Sequence, residues 1–361
     1  MVIQREREGH SGEQAILIVG TAPVLTTALQ ERWQHSTGYD LITMPPHGSR
    51  DHSCAPASGS AQGETSWNDG NLNNDGPLRK VRAVVYIIPA AATRKSVRRE
   101  LRRVDDVLCR ARSVGAPIYL VTGVSTESVA GSPGRGSTSS LSTAVEFLRR
   151  SGHPHVIVRT STLIGASGTG VIAEFGAIYR LSKALLQARC PRIRFSAGAR
   201  VDLVPCDIAA DVLARLIENR FLDGEYWLTA GEHSLTVEEA VAELFSEARQ
   251  AGVPVPDSPV VYGTSVSRVE AGDTARGRRA STLIFDSPLE SSLGNEFETS
   301  LGELGSIGTR ALPSAHESLR ASLRYWATVS ASPIANYPSF TTLETGRLAG
   351  SPDHASSSLC R

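Results

Sequence analysis

Apolar residues in the first half of the chain fall in short unbroken runs, separated by stretches with helical spacing. Ala15 to Gly20 (AILIVG) is a β-branched run closed by glycine. The segment after it, TAPVLTTALQERW, places its apolar residues three and four apart, on one face of a helix. The pattern predicts strand, turn, helix. YDLITM predicts a second short strand. VRAVVYIIPAA is apolar throughout after its arginine, as a strand buried on both faces of a parallel sheet would be. ELRRVDDVLCRARSVG then has helix periodicity and a glycine stop. PIYLVTG, the helix LSTAVEFLRRSG and the strand PHVIVRTSTLIG continue the alternation. Such alternation predicts an α/β, Rossmann-like doubly wound parallel sheet with helices on both faces.

Beyond Gly170 the segments change to longer helices, VIAEFGAIYRLSKALLQA, DIAADVLARLIENRF and TVEEAVAELFSEARQAG, with short extended pieces such as EYWLTA between them. This predicts a smaller, mainly helical C-terminal substrate lobe. The expected organisation is an N-terminal extension (1–14), a Rossmann-like domain (15–170), a C-terminal lobe (171–343) and a flexible Ser/Gly-rich tail (344–361). Residues 45–76, dominated by Ser, Gly, Asn, Asp and Pro, read as an irregular loop.

Composition narrows the function classes. The 361 residues carry 37 basic and 37 acidic side chains, a balance that gives no footprint for nucleic acid. The five cysteines lack disulfide or metal-ligand spacing, and no metal site is expected. The polar start MVIQREREGHSGEQ and the lack of a long apolar run point to a cytoplasmic protein with no membrane segment.

The order of segments resembles the extended short-chain dehydrogenase/reductases, over roughly residues 15 to 245. ILIVG stands at the first strand, VVYIIPAA where that family has a strand ending in paired alanines (here Ala90 and Ala91), and IVRTSTLIGASGTG at its arginine-proline-serine strand end. VDLVPCDIAADVLARLI followed by GEYWLTAGEHSLTVEEAVAELF is similar to the family's D-x-V-P-V-D-x-V-A segment and the helix beyond it. The resemblance implies a nicotinamide cofactor with its pyrophosphate on a glycine-rich turn. It also implies a tyrosine, with a lysine four residues later, relaying a proton. Many relatives pair through helices of the Rossmann core, which implies a homodimer.

Two departures follow. Gly20 keeps the first glycine, but Pro23 and Thr26 occupy the second and third glycine positions, and proline has no N–H to offer a phosphate. Pro23 also suits the first turn of a helix on structural grounds alone. The degenerate cofactor site is therefore Gly20, Pro23, Ala90 and Ala91. At the proton relay, Thr138 aligns with the tyrosine and Ser142 with the lysine. No tyrosine lies between Tyr119 and Tyr179, and no lysine between Lys95 and Lys183. Tyr179-Arg-Leu-Ser-Lys183 spells the family's YxxSK motif, but after the arginine-serine strand rather than before it, and reads as a chance match on an amphipathic helix.

Ser125, Thr126, Glu127 and Thr138 are the pocket candidates for catalysis, set against turn-capping and solvated-loop roles. Asp207 reads as a helix N-cap with Asp211 in the first turn. His153 and His155 lack a third ligand. Arg200 and Asp202 suit either the cleft or a strand-edge ion pair, and Tyr86 reads as a core tyrosine with a satisfied hydroxyl.

Three functions fit. The first is a cofactor-independent cyclisation, isomerisation or elimination on a hydrophobic natural-product intermediate, for example a polyketide. The second is non-catalytic nucleotide sensing or partner binding. The third is an NADP-dependent reductase or epimerase with diverged motifs. The first expects no cofactor and a small hydrophobic substrate; NADP belongs to the third.

Overall fold

The computed structural model describes residues 14–20, 22–34, 39–44, 80–88, 97–124, 140–186, 193–195, 198–253, 255, 260–262 and 297–331. Alternation of strand and helix produces β1 (Gln14–Val19), α1 (Pro23–Gln34), β2 (Tyr39–Met44), β3 (Lys80–Ile87), α2 (Val97–Val114), β4 (Ile118–Gly123), α3 (Ser140–Arg150) and β5 (His155–Thr160). These strands are joined by β10 (Glu225–Leu228) in one six-stranded sheet of order β10-β5-β4-β3-β1-β2, every neighbouring pair parallel. The architecture is α/β and Rossmann-like, as the sequence pattern predicts.

Period-two alternation decides which side chains meet which helices. Ile16, Ile18, Val85 and Val121 face α1 and α5 (Cys206–Glu218), while Leu17, Val84, Tyr86 and Leu120 face α2 and α3. Both α5 and β10 come from beyond residue 170, so the chain returns to the sheet layer after the boundary expected from sequence. Helix periodicity and a four-residue extended piece fix element type but not layer.

The run PHVIVRTSTLIG is two strands. It breaks at Ser161 into β5 and β6 (Thr162–Ile164), and β6 leaves the main sheet to pair in parallel with β9 (Leu203–Pro205). The helix expected from Val171 starts at Ala177 and ends at Leu186 (α4), because residues 165–170 turn tightly and Gly176 precedes the first turn.

The lobe is completed by β7 (Ile193–Phe195) paired with β12 (Val260–Tyr262), by β8 (Arg200–Val201) paired with β11 (Leu235–Thr236), and by α6 (Val237–Gln250), α7 (Leu301–Leu304) and α8 (Ala315–Ala331). Helix α6 opens on a capping box between Thr236 and Glu239. A separate apolar core joins Ile178, Tyr179, Leu185, Leu244, Leu319 and Leu323 from α4, α6 and α8. Among the described residues no helix is long and apolar enough to cross a membrane.

Candidate functional site

In an open parallel sheet the binding crevice lies beyond the strands' carboxyl ends, where the strand order reverses. Here that point falls between β1 and β3. Gly20 ends β1 with φ +127°, and a Cβ built on it would sit 2.5 Å from the carbonyl oxygen of Ile87 at the end of β3. Only glycine fits. Its N–H donates to the Met44 carbonyl at 3.2 Å, which ties the turn to β2.

Pro23 is the first residue of α1 and is exposed. It occupies the helical position where a missing N–H disrupts nothing. The Thr26 N–H already donates to Ala22 O at 3.0 Å. By helix geometry the N–H groups of Val24 and Leu25 have no intrahelical acceptor, and no acidic residue stands in the first turn. A dinucleotide pyrophosphate therefore fits this turn only in part. Two backbone donors rather than three would face it.

Three buried tyrosines of the described sheet and lobe are committed elsewhere. Tyr179 is 2% exposed; its hydroxyl accepts the Gly165 N–H at 3.1 Å and its ring meets Phe175 edge-on at 5.0 Å. Burial pushes this hydroxyl up to about 12, against hydrogen bonds from Ser322 and Gly165 that lower it. Lys183, one helical turn on, is exposed. A relay needs a lowered phenol, and burial raises this one. Tyr119 donates to the Phe221 carbonyl at 2.7 Å. Tyr86 donates to the buried carboxylate of Glu100, and burial raises the Tyr86 hydroxyl far above its ordinary value.

No family model matches the chain, and no curated protein matches it. Solved structures do. The terminal R domain from the myxalamid PKS-NRPS biosynthetic pathway is 14% identical, with 88% of this chain and 91% of that one covered and a TM-score of 0.55. The Bordetella bronchiseptica enzyme WbmG, in complex with NAD and UDP, is 16% identical over 87% and 94%, with a TM-score of 0.54. The dTDP-glucose 4,6-dehydratase of Bacillus anthracis, in complex with NAD, is 13% identical over 87% and 97%, with a TM-score of 0.53. The chain shares the Rossmann-like fold of these three structures.

Ser125, Thr126, Glu127 and Thr138 lie outside the described residues, as do Ala90 and Ala91. Ser142, aligned with the relay lysine, sits half-buried in α3.

Asp202 is fully buried and accepts the N–H groups of Ala230 (2.9 Å) and Gly231 (3.3 Å). Burial raises its carboxyl, opposed by the hydrogen bonds from Ala230, Ser161 and Gly231. Arg200 donates to the carbonyls of Ser234 (2.7 Å) and Glu232 (3.2 Å). Neither residue forms the other's ion pair.

Asp207 corrects the N-cap expectation. Pro205 is the N-cap of α5 and makes no side-chain cap bond, while Asp207, inside the helix, accepts the Ser167 N–H (2.9 Å) and hydroxyl (2.8 Å). Asp211 lies a turn further, not in the first turn, and pairs with Arg32 at 2.8 Å. Both aspartates thus anchor neighbouring segments to α5. His153 Nε2 bonds Ala116 O (2.8 Å) and His155 Nδ1 bonds His153 O (2.7 Å). Burial pushes the Cys206 thiol up to about 12, which removes it as a nucleophile near neutral pH.

Sequence reasoning missed two ionic assemblies. Arg159, 7% exposed on β5, pairs with Glu225, which also takes Arg149; the Arg159 guanidinium lies 5.2 Å over the Trp227 ring. Glu243 and Glu247 on α6 are gripped by Arg320 and Arg324 on α8 through two bonds each, at 2.5 to 2.9 Å. The signal was present for the second: two acids and two arginines at four-residue spacing on separate helices.

Proposed function

We propose that the chain uses a dehydrogenase/reductase scaffold for a reaction without hydride transfer: a cyclisation, isomerisation or elimination on a hydrophobic natural-product intermediate such as a polyketide. One observation carries the reading. The sequence's sole YxxSK tyrosine, Tyr179, is sealed in the lobe core with its hydroxyl bonded to Gly165. A proton relay at the sheet's edge cannot then draw on that phenol.

Chemistry of the proposed kind needs little acid–base machinery. Fixing a reactive conformer contributes through orientation, and a few preorganised donors stabilise developing charge. Ser125, Thr126 and Glu127 after β4, and Thr138 before α3, are the polar groups proposed for that task.

A second reading, nucleotide sensing without turnover, is favoured by the switch-point turn, where α1 opens directly after β1 and the N–H groups of Val24 and Leu25 have no intrahelical acceptor. A nicotinamide group, when bound, would supply hydride chemistry; the residues placed to hold its pyrophosphate are Gly20, Val24 and Leu25.

The test pairs a fluorescence titration of NADH and NADPH with a nicotinamide absorbance assay on polyketide-type ketone and aldehyde substrates. No nucleotide consumption, together with conversion of a substrate in nucleotide-free buffer, is the expected result. Nucleotide binding without turnover of any substrate would move the assignment to the sensor. Steady nucleotide oxidation coupled to substrate reduction would overturn both.

A further inference from the structure

Met44 ends β2, the last strand in the order of the six-stranded sheet, and is half-buried. Register sets it opposite Val19, the residue before Gly20. Backbone and side chain have different partners. The Met44 carbonyl accepts the Gly20 N–H at 3.2 Å, and its thioether sulfur accepts an N–H of Arg110 on α2 at 3.4 Å. Arg110 has a further interaction of its own, which helps to hold the guanidinium in place. One residue therefore joins α2 to the switch-point turn.

Packing alone does not account for this pairing. Ile42 and Met44 lie against the apolar core on the α2 side of the sheet, a place that a leucine would also fill. A thioether is a weak acceptor, so a guanidinium donor gains little from it. A sulfoxide oxygen is a strong one, and a bond to it from arginine is charge-assisted. The surroundings of this sulfur suit its oxidised form better than its reduced form.

We propose that Met44 is a redox-sensitive modification site, at which a hydroperoxide converts the thioether to the sulfoxide and thereby loosens the Gly20 turn. The sulfur lone pair attacks one peroxide oxygen and the O–O bond breaks. The departing hydroxide takes the proton of the transferred oxygen and leaves as water; sulfur is oxidised by two electrons and the peroxide is reduced. An Arg110 N–H beside the sulfur stabilises the charge that develops on the oxygens, then holds the new S–O group. An oxygen placed between atoms 3.4 Å apart pushes them apart, and the displaced end of β2 carries the carbonyl that fixes Gly20. The effect does not depend on what the crevice binds.

The experiment treats the full chain with hydrogen peroxide, with N-acetylmethionine amide in the same tube as the reference. Peptide mass mapping follows oxygen gain at Met44, and hydrogen exchange follows the Gly20 amide. Although half-buried, Met44 is expected to oxidise about fivefold faster than the reference, the effect of roughly one hydrogen bond to developing charge. R110A should remove that advantage. Exchange at Gly20 should quicken in the oxidised wild type, return after treatment with methionine sulfoxide reductase, and stay unchanged in peroxide-treated M44L. Oxidation of Met44 no faster than the reference overturns the proposal. So does full oxidation with unaltered exchange at Gly20. An equal response in M44L assigns the effect to the cysteines, and the proposal fails.

Discussion

The Gly165 N–H points at the Tyr179 hydroxyl, 3.1 Å away, and both are buried. The tyrosine of a familiar catalytic motif therefore serves as an acceptor for a tight turn in the lobe. Tyr179→Phe strands a buried donor and should cost about 1–3 kcal/mol in urea denaturation. Lys183→Ala, at an exposed position, should stay within about 0.5 kcal/mol of wild type. Loss of turnover in both variants at unchanged stability would reinstate the catalytic pair.

Gly20→Ala meets two penalties, a φ of +127° and a Cβ 2.5 Å from Ile87 O. Backbone strain of this kind costs about 1–3 kcal/mol. The expected outcome is a lowered melting temperature in nucleotide-free buffer, which separates the fold's need for glycine from any ligand's.

Gly170 has φ +72°, and its added Cβ would lie 2.0 Å from the Ala321 carbonyl oxygen in the middle of α8. Gly170→Ala should push α8 off the turn. Hydrogen exchange is expected to accelerate across 315–331 while β3 and β4 keep their protection. Unchanged exchange in α8 would show that the turn yields instead.

Acid should loosen the α6–α8 contact. Arg320 and then His316 hold the Glu243 carboxyl below its usual range, against the opposing effect of burial. A carboxyl lowered in the folded state contributes stability above its unfolded value and loses it as pH falls through the folded one. Glu243→Gln should melt lower than wild type at neutral pH. The two melting curves should converge as pH drops below the ordinary glutamate range.

Fold and site were unequally legible. Runs such as AILIVG and IYLVTG announce buried parallel strands because both faces are covered, and every one of those strands stands in the sheet. The break at Ser161 was hidden, since β-branched residues continue through it and only the three-dimensional course separates β5 from β6. Helix α8 was passed over because its apolar positions, Leu319, Leu323 and Trp326, are diluted by serines and by arginines, of which Arg320 and Arg324 have partners 77 residues away. At the site, Gly20 and Pro23 could be placed from local rules alone. Asp202, Asp207 and Arg159 could not, because what each one holds is brought to it by tertiary structure.

The meeting of Gly170 with Ala321 also orders events during synthesis. The ribosome delivers the 165–170 turn and Tyr179 more than a hundred residues before the helix that covers them, whereas β1, β3, β4 and β5 can pair as they emerge. The nascent chain therefore spends an interval with its sheet half assembled and the lobe's apolar face uncovered. Chains arrested before α8 leaves the exit tunnel should be the ones that chaperones bind and proteases remove.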